Sequence, residues 1–314
     1  MSAPTVSAPM PSAIDAPRAS TPRAKRHRRQ IMREGRRSTL LTVLLWACAA
    51  YFLLPLLWLL IASTKSNADL FSSFGFWFGK DFNLFTNIAQ VFTFKDGVYL
   101  RWVLNTVVYA GVSAFGASLL ATMAGYGFAK YRFPGGRAIF SVVLGSIMIP
   151  LTALAIPTYL LFSSAGLTNT PFAVIIPSLV SPFGVYLMRV YAAESVPDSL
   201  IEAARMDGAG EMRIFWQVAL RQLGPGVVTV FLFSLVATWN NYFLPLIMLN
   251  TSDLYPLTVG LAQWQATAAA GSGSQALFST VITGSLVSII PLVIAFLFLQ
   301  RYWQSGLGTG AVKG

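Results

Sequence analysis

The chain has 314 residues, of which 55% are hydrophobic and only 11% are charged, and its formal net charge is +11. Soluble domains carry about 25% charged residues, so this composition excludes an ordinary soluble protein and indicates a protein of the lipid bilayer. A membrane β-barrel is excluded as well, because its strands alternate apolar and polar residues, whereas the apolar runs here are apolar on every face. The sequence therefore predicts an all-α integral membrane protein.

Residues 1–38 are predicted to form a disordered, basic tail. Residues 1–22 are rich in Pro, Ala and Ser, a composition that buries too little apolar surface to become ordered. The basic stretch RAKRHRRQIMREGRR could bind nucleic acid. Its place directly before an apolar run instead favours binding to anionic lipid, so no nucleic-acid partner is expected. That run is longer than the apolar core of a signal peptide, so we interpret it as an uncleaved first helix.

Six apolar runs, all free of Asp, Glu, Lys, Arg and His, are candidates for transmembrane helices. A helix needs about 20 residues to cross a hydrocarbon core of ~30 Å. The runs cover residues 40–62, 103–129, 138–163, 172–188, 227–249 and 277–299. The fourth run is the shortest, and Pro177 and Pro182 are expected to interrupt it. We predict a six-helix transmembrane domain over residues 39–314.

The distribution of Lys and Arg predicts the orientation of these spans. With the N-terminus in the cytoplasm, 18 of the 22 Lys and Arg residues fall on the cytoplasmic side. Only Lys65, Lys80, Lys95 and Arg101 face outward. Short cytoplasmic loops of membrane proteins carry this excess of positive charge. The sequence therefore predicts a multi-pass protein of the plasma (inner) membrane with both termini in the cytoplasm.

The sequence offers no motif for catalysis, metal binding or cofactor binding. Cys48 and His27 each stand alone, and there is no phosphate-binding loop and no hydrolase motif. The spans also lack the carboxylates and histidines of proton-coupled carriers. The outward loop 63–101 is rich in Phe and Trp, which favours a position at the lipid headgroups, with a partner-docking surface as the alternative. We expect the energy source to lie outside this chain.

The longest predicted cytoplasmic loop, residues 190–226, carries the stretch EAARMDGAGEMRIFW. Pro197 and Asp198, followed by Ser199 and Glu202 in the Ser-x-x-Glu spacing of a capping box, predict the start of a helix. Gly208 is predicted to end that helix with positive φ.

A second, amphipathic helix is predicted from the residues that follow Gly208. Its apolar face contains Ile214, Phe215 and Val218, and it extends to Ala219 and Gln222. From the residues alone, a docking element and a plain linker both remain open.

The stretch EAARMDGAGEMRIFWQVAL resembles the EAA motif of permease subunits of ATP-binding cassette importers. The stretches TWNNYFLPLIML and RYWQSGLGTGAVKG are similar to the carbohydrate-importer subgroup that includes the MalG-type subunit of maltose importers. The resemblance implies the MetI-like fold of a type I importer permease, a six-helix bundle with a cytoplasmic coupling helix. The residues that it assigns to coupling with the ATPase are Glu202, Ala203, Ala204, Asp207, Gly208, Ala209 and Phe215. One departure is that Leu220 is followed by Arg221 instead of Pro, and Pro225 is expected to take over the stop.

The same resemblance implies a function and a set of partners. The chain would carry a sugar or oligosaccharide into the cytoplasm, and ATP hydrolysis would reside in a separate subunit, so the chain itself is not an enzyme. The implied partners are a homologous second permease of the MalF type, a dimer of cytosolic ATP-binding subunits, an extracytoplasmic sugar-binding protein and membrane lipids. The competing hypotheses are a secondary carrier, which the charge-free spans disfavour, and a membrane scaffold or insertion factor.

Polar and aromatic residues at the end of the fifth predicted span are candidates for the substrate path. They are Trp239, Asn240, Asn241 and Tyr242. Aromatic rings stack on the CH groups of sugars, and amides bond their hydroxyls. The alternative is that Trp239 and Tyr242 belong to the aromatic belt at the membrane surface.

Overall fold

The computed structural model describes residues 22–270 and 277–308, and within these ranges it contains helices and no strand. The chain divides into two compact units, residues 1–57 and 58–314. The first seven helices are α1 (Pro22–Ser63), α2 (Asn67–Ser72), α3 (Leu84–Thr93), α4 (Val98–Lys130), α5 (Gly136–Ile147), α6 (Ala155–Ser164) and α7 (Phe172–Ser178). The remaining six are α8 (Pro182–Ser195), α9 (Asp198–Met206), α10 (Glu211–Trp239), α11 (Phe243–Met248), α12 (Leu257–Ala269) and α13 (Leu277–Gly308).

Five helical stretches are long and apolar enough to cross a membrane. They are Thr39–Ser63 in α1, the whole of α4, Phe172–Ser195 in α7 and α8, the whole of α10, and Leu277–Gln300 in α13. The prediction of an all-helical membrane protein is confirmed. The third predicted span, 138–163, is not one helix, because turns at 148–154 separate α5 from α6. Pro150 lies in these turns, and a proline disfavours helical backbone in the residue before it.

The fifth predicted span differs from the structure at both ends. Helix α10 begins at Glu211, so the predicted second helix of the loop and the fifth span form one continuous helix. Pro225 lies inside α10 and does not stop it, which corrects the expectation from the sequence. Thr229 Oγ1 donates to the Pro225 carbonyl at 2.8 Å, and neighbouring helices support a proline at such a position. The helix ends at Trp239 instead of Leu249.

Helix α1 also begins earlier than the sequence predicts. It starts at Pro22, so residues 22–38 are helical instead of disordered. Proline is favoured in the first turn of a helix, and the Arg, Lys, Ala, Gln and Met residues that follow are good helix formers. The rest of the predicted tail, residues 1–21, lies outside the described residues. In the first unit, the side chains of residues 39–57 are exposed.

Helix α4 is the central helix of the second unit. It packs against α3, α7, α8, α10 and α12. Small buried residues recur along it at a spacing of three or four, namely Ala110, Ala114, Ala117, Ala121 and Gly125. Small residues at such spacing let membrane helices approach closely. A Cβ atom on Gly125 would lie 2.7 Å from the backbone nitrogen of Arg189, so α4 and α8 touch backbone to backbone there.

Three clusters of buried side chains hold the second unit together. The first lies around Tyr126, Met188, Ile201 and Phe215, and it joins α4 and α8 to α9 and α10. The second surrounds Trp102 and Trp264, and the third surrounds Tyr109 and Phe162. The first cluster positions the candidate site, because it buries residues on both sides of Gly208.

The loop between α1 and α4 is folded around buried polar groups. The buried Lys65 ammonium donates to Ser73 Oγ at 2.9 Å and to the Phe74 carbonyl at 2.8 Å. Asn87 Nδ2 donates to the carbonyls of Ser63 and Lys65. The aromatic residues that are exposed between residues 71 and 85 are Phe71, Phe74, Phe76, Trp77, Phe78, Phe82 and Phe85. Their exposure fits both predictions for this loop, the headgroup position and the docking surface.

Candidate functional site

The EAA segment, defined as residues 198–216, connects α8 to the body of α10. Its first helix, α9, begins at Asp198 with Pro197 as the N-cap residue, and no side chain caps it. The predicted capping box between Ser199 and Glu202 is therefore wrong, since Ser199 is already the second helical residue. The carboxylate of Asp198 in the first turn interacts favourably with the helix dipole. The start of α9 thus depends on Pro197 and Asp198.

Gly208 ends α9 in the predicted way. Its φ is +79°, the left-handed region that favours glycine. The amide of Ala209 donates to the carbonyl of Ala204, and the amide of Gly208 donates to the carbonyl of Arg205, both at 3.0 Å. These two bonds form a Schellman motif, which satisfies the last carbonyls of the helix. The chain reverses at Gly208 and enters α10 three residues later.

Charged side chains attach α9 to the end of α4. Lys130 Nζ donates to Asp198 Oδ1 at 2.8 Å, and the Lys130 side chain is only 7% exposed. This hydrogen bond, together with the positive charge, lowers the pKa of the Asp198 carboxyl below its usual value. The last residue of α4 is therefore bound to the first residue of α9.

A second set of polar contacts fixes the Gly208 turn. Arg205 Nε donates to Glu211 Oε1 at 2.7 Å, and this bond raises the pKa of the Arg205 guanidinium. Tyr131, just beyond α4, donates its hydroxyl to Glu211 Oε2 at 2.6 Å. Glu211 thus joins α9, α10 and α4. Tyr131 and Glu211 were not predicted, and the only signal for them is that the sequence places polar residues at both helix ends.

Buried apolar side chains hold the EAA segment against α4 and α8. Ile201, Ile214 and Phe215 are buried in the first cluster, and the Phe215 ring lies 5.4 Å from the ring of Tyr126 on α4. A π-helical turn over Phe215–Ala219 shifts the buried face of α10. As a result Leu223, and not the predicted Gln222, continues that face.

The EAA segment also carries exposed apolar side chains. We define the EAA face as the exposed residues Leu200, Glu202, Ala203, Met206, Met212 and Trp216. The Met206 side chain is 89% exposed and that of Met212 is 62% exposed. Methionine is common on surfaces that bind other proteins, because its flexible thioether adapts to a partner. A mainly apolar face on a fixed helix is suited to docking.

The structure divides the predicted coupling residues into two groups. Glu202, Ala203, Asp207 and Gly208 are exposed, whereas Ala204 and Ala209 are half-buried against the first cluster and Phe215 is buried in it. The exposed group can touch a partner directly, whereas the buried Phe215 cannot. Met206 and Met212 were missed by the sequence analysis, although both flank the predicted turn at Gly208.

The predicted substrate-path residues lie where α10 ends. Trp239 is buried in the second cluster, so within the described chain its indole faces neither a path nor lipid. Asn240 and Tyr242 are exposed. Asn240 Nδ2 donates to the carbonyl of Val236, and Asn241 Oδ1 accepts a long bond from the amide of Leu244. The side-chain amides of Asn240 and Asn241 therefore form hydrogen bonds at the end of α10 and the start of α11.

The chain is similar to known transport proteins. Residues 117–307 match the family described as "Binding-protein-dependent transport system inner membrane component". The chain is 34% identical to the arabinooligosaccharides transport system permease protein AraQ of Halalkalibacterium halodurans, over 88% of this chain and 97% of that protein. It is 30% identical to the lactose transport system permease protein LacG of Rhizobium radiobacter, over 82% of this chain and 90% of that protein.

A solved structure gives the same result for the fold. A chain from the crystal structure of a bacterial ABC transporter involved in the import of the acidic polysaccharide alginate matches with a TM-score of 0.72. The sequence identity is 26%, and the match covers 85% of this chain and 96% of that chain. The MetI-like fold inferred from the EAA motif is thereby confirmed.

Proposed function

We propose a function from the premise that this chain belongs to the family of binding-protein-dependent transport system inner membrane components, which are permeases of ABC importers. It is the permease subunit of an importer that moves a sugar or oligosaccharide into the cytoplasm. Relatives named for arabinooligosaccharides and for lactose support this substrate class. ATP is hydrolysed by a separate subunit, and this chain supplies the path and the coupling.

The main observation in support of this proposal is the EAA face. It combines exposed apolar side chains with the Glu202 carboxylate on a helix that is fixed from behind. We infer that it docks into a groove of the cytosolic ATP-binding subunit. Glu202 makes the principal polar contact, Ala203 permits close approach, and Met206 and Met212 fill apolar pockets. A surface that combines small and apolar side chains with one carboxylate is more favourable in a protein groove than in contact with water.

The contacts behind the EAA face explain how a push on α9 would reach the membrane. Ile201 of α9 is buried in the first cluster, Asp198 is bound to Lys130 and Arg205 is bound to Glu211, so we expect α9 to move together with α4 and α10. Helix α4 extends over 33 residues and packs against most of the second unit. Closure of the ATPase dimer would therefore move the long helices and alternate the access of the path.

The remaining partners follow from the family, whose permeases work with a second permease, an ATPase and a binding protein. We propose a homologous permease of the MalF type, two copies of the ATPase and an extracytoplasmic sugar-binding protein. The loaded binding protein favours the outward-open state by binding it more tightly than the inward-open state. Both termini and the EAA segment lie in the cytoplasm, and α5 with α6 supplies the remaining crossing.

Uptake into vesicles tests this proposal. The complex with its ATPase and binding protein is reconstituted, and entry of labelled arabinotriose, lactose and raffinose is measured with ATP or with an ion gradient alone. We expect at least one sugar to enter with ATP and none with the gradient alone. Entry driven by the gradient would favour a secondary carrier, and no entry of any sugar under either condition would count against a sugar importer.

A further inference from the structure

The loop between α1 and α4 contains a dense group of exposed rings, which we call the aromatic loop and define as residues 71–85. Six phenylalanines and one tryptophan lie in it, and their side chains are 47–76% exposed. Lys80 and Asp81 are the only charged residues of the aromatic loop. A contiguous apolar surface of this kind is unfavourable in water and marks contact with a membrane or with another protein.

Two membrane-spanning helices lie next to the aromatic loop. The Phe71 ring forms an edge-to-face pair with the ring of Phe278, the second residue of α13, with centroids 5.3 Å apart. A Cβ atom on Gly75 would lie 3.5 Å from the indole nitrogen of Trp58. Trp58 precedes the end of the span Thr39–Ser63 by five residues, which is about 7.5 Å along the helix. The aromatic loop therefore lies beside the last turns of this span and not beyond them.

The length of the span gives the depth of the aromatic loop in the bilayer. Thr39–Ser63 has 25 residues and is therefore about 37 Å long, whereas the hydrocarbon core is ~30 Å thick. If the span is centred, each end extends about 4 Å beyond the hydrocarbon, so Trp58 lies about 4 Å within it. The aromatic loop is then level with the boundary between hydrocarbon and headgroups, where Trp and Phe side chains are favourable.

The polar groups of this region are paired behind the rings. Lys65 and Asp69 are buried, and the Lys65 ammonium donates to Ser73 Oγ and to the Phe74 carbonyl. Ser73 Oγ in turn donates to the Asp69 carbonyl at 2.6 Å. A Cβ atom on Gly79 would lie 2.8 Å from Asp69 Oδ2, so glycine lets the backbone close over this carboxylate. Irregular backbone near lipid needs such internal partners, since hydrocarbon offers none.

The directions of the rings favour lipid over a protein as the contact. Phe76, Trp77 and Phe78 are consecutive, and all three are exposed. The ring planes of Trp77 and Phe78 cross at 70°. Rings that point in several directions cannot all pack on one flat protein surface, whereas acyl chains surround them from every open side. A fluid apolar environment therefore fits these rings better than a single docking partner.

We propose that the aromatic loop inserts into the lipid monolayer at the Ser63 end of α1. Its rings lie among the upper parts of the acyl chains, and Lys80 and Asp81 lie at the headgroups. On the proposed topology this is the outer leaflet. The loop holds the neighbouring ends of α1 and α13 at a fixed depth while other helices move during transport. Of the two predictions for this loop, the inference selects the lipid, and it does not depend on the cargo.

Electron paramagnetic resonance tests the proposal on the assembled complex in nanodiscs of phosphatidylcholine and phosphatidylglycerol. In a Cys48→Ser background, a nitroxide is attached at Phe76→Cys or, as the control, at Ala270→Cys, an exposed position of the loop before α13. Its accessibility to oxygen, which concentrates in the bilayer, is compared with its accessibility to a water-soluble nickel chelate. We expect the oxygen-to-nickel ratio to be about fivefold higher at Phe76→Cys than in the control, with and without the sugar-binding protein.

Three results would overturn the proposal. A ratio at Phe76→Cys equal to that of the control means that the aromatic loop lies in water. Low accessibility to both oxygen and nickel means that protein, such as the second permease, covers the rings. Accessibility that falls when the sugar-binding protein is added means that the loop is a docking surface for that protein.

Tryptophan fluorescence gives a second readout that needs no label. Lipids brominated in the upper part of the acyl chain quench a tryptophan that lies among them. The emission that Trp77→Phe lacks relative to wild type should be strongly quenched in brominated nanodiscs. The emission that Trp216→Phe lacks should not be, because Trp216 belongs to the EAA face. Equal brightness of Trp77 in brominated and ordinary lipid would reject the insertion of the aromatic loop.

Discussion

Lys130, the last residue of α4, donates a 2.8 Å hydrogen bond to Asp198, the first residue of α9. This pair connects the longest buried helix to the segment that carries the EAA face. The Lys130 side chain is 7% exposed and that of Asp198 is 79% exposed, so the pair lies at the protein surface with its lysine largely covered. The pair joins the start of α9 to the end of α4.

The Lys130 and Asp198 pair predicts a pH-dependent effect on stability. The lowered pKa of Asp198 means that the pair stabilises the protein above the ordinary Asp pKa, and that this stabilisation is lost as pH falls through the lowered value. Asp198→Asn should lower the Tm of the detergent-solubilised complex at neutral pH, and the difference from wild type should shrink in acid. Asp207→Asn, at an exposed residue, is the control. A Tm difference that does not change with pH would contradict the ion pair.

The backbone at Gly208 predicts a graded response to substitution. Positive φ is strained for a β-branched residue by about 1 kcal/mol or more, whereas asparagine tolerates it better. Gly208→Val should therefore reduce substrate-stimulated ATP hydrolysis more than Gly208→Asn. No Cβ contact would interfere, since open space surrounds this glycine, so the comparison isolates the backbone. Equal activity of the two variants would remove the argument from φ.

The exposed methionine at the tip of α9 predicts a role in assembly. Met206→Gln should weaken copurification of the ATPase subunit severalfold, because a polar amide replaces an apolar side chain at the proposed contact. Met206→Leu keeps the apolar character and should assemble normally. If both variants retained the ATPase as wild type does, Met206 would lie outside the contact.

The charge distribution predicts the sides of two loops. In a Cys48→Ser background, Ala270→Cys in the loop before α13 should react with an impermeant thiol reagent added to whole cells. Arg213→Cys should react only after the cytoplasmic side is opened. Both residues are exposed in the structure, so lack of reaction would not come from burial. The reverse labelling pattern would invert the proposed topology.

The long apolar helices could be predicted from the sequence, but most of their interruptions could not. Runs 40–62, 103–129 and 277–299 lie within α1, α4 and α13, because composition alone decides them. Prolines gave only partial guidance, since the fourth run is interrupted before Pro182 but not at Pro177. Pro150 lies in a break, whereas Pro225 lies inside α10, where the hydroxyl of Thr229 bonds to its carbonyl. Tertiary packing decides which proline ends a helix.

The candidate site was predicted in part for a similar reason. Gly208 was predictable because a local backbone rule requires it. The contact of Tyr131 with Glu211 was not, since it joins residues 80 apart in the chain and depends on how α4 meets α10. Trp239 looked like a path residue in the sequence, but the second cluster buries it.

The most direct test of the account is substrate-stimulated ATP hydrolysis by the assembled complex that carries Glu202→Lys. Glu202 is exposed on α9, so the substitution should leave folding and membrane insertion intact, and Glu194→Lys, at an exposed carboxylate of α8 outside the EAA segment, serves as the control. We predict that stimulation by the loaded binding protein falls to the basal rate in Glu202→Lys and is largely kept in the control. Normal stimulation in Glu202→Lys, at normal assembly, would contradict coupling through the EAA face.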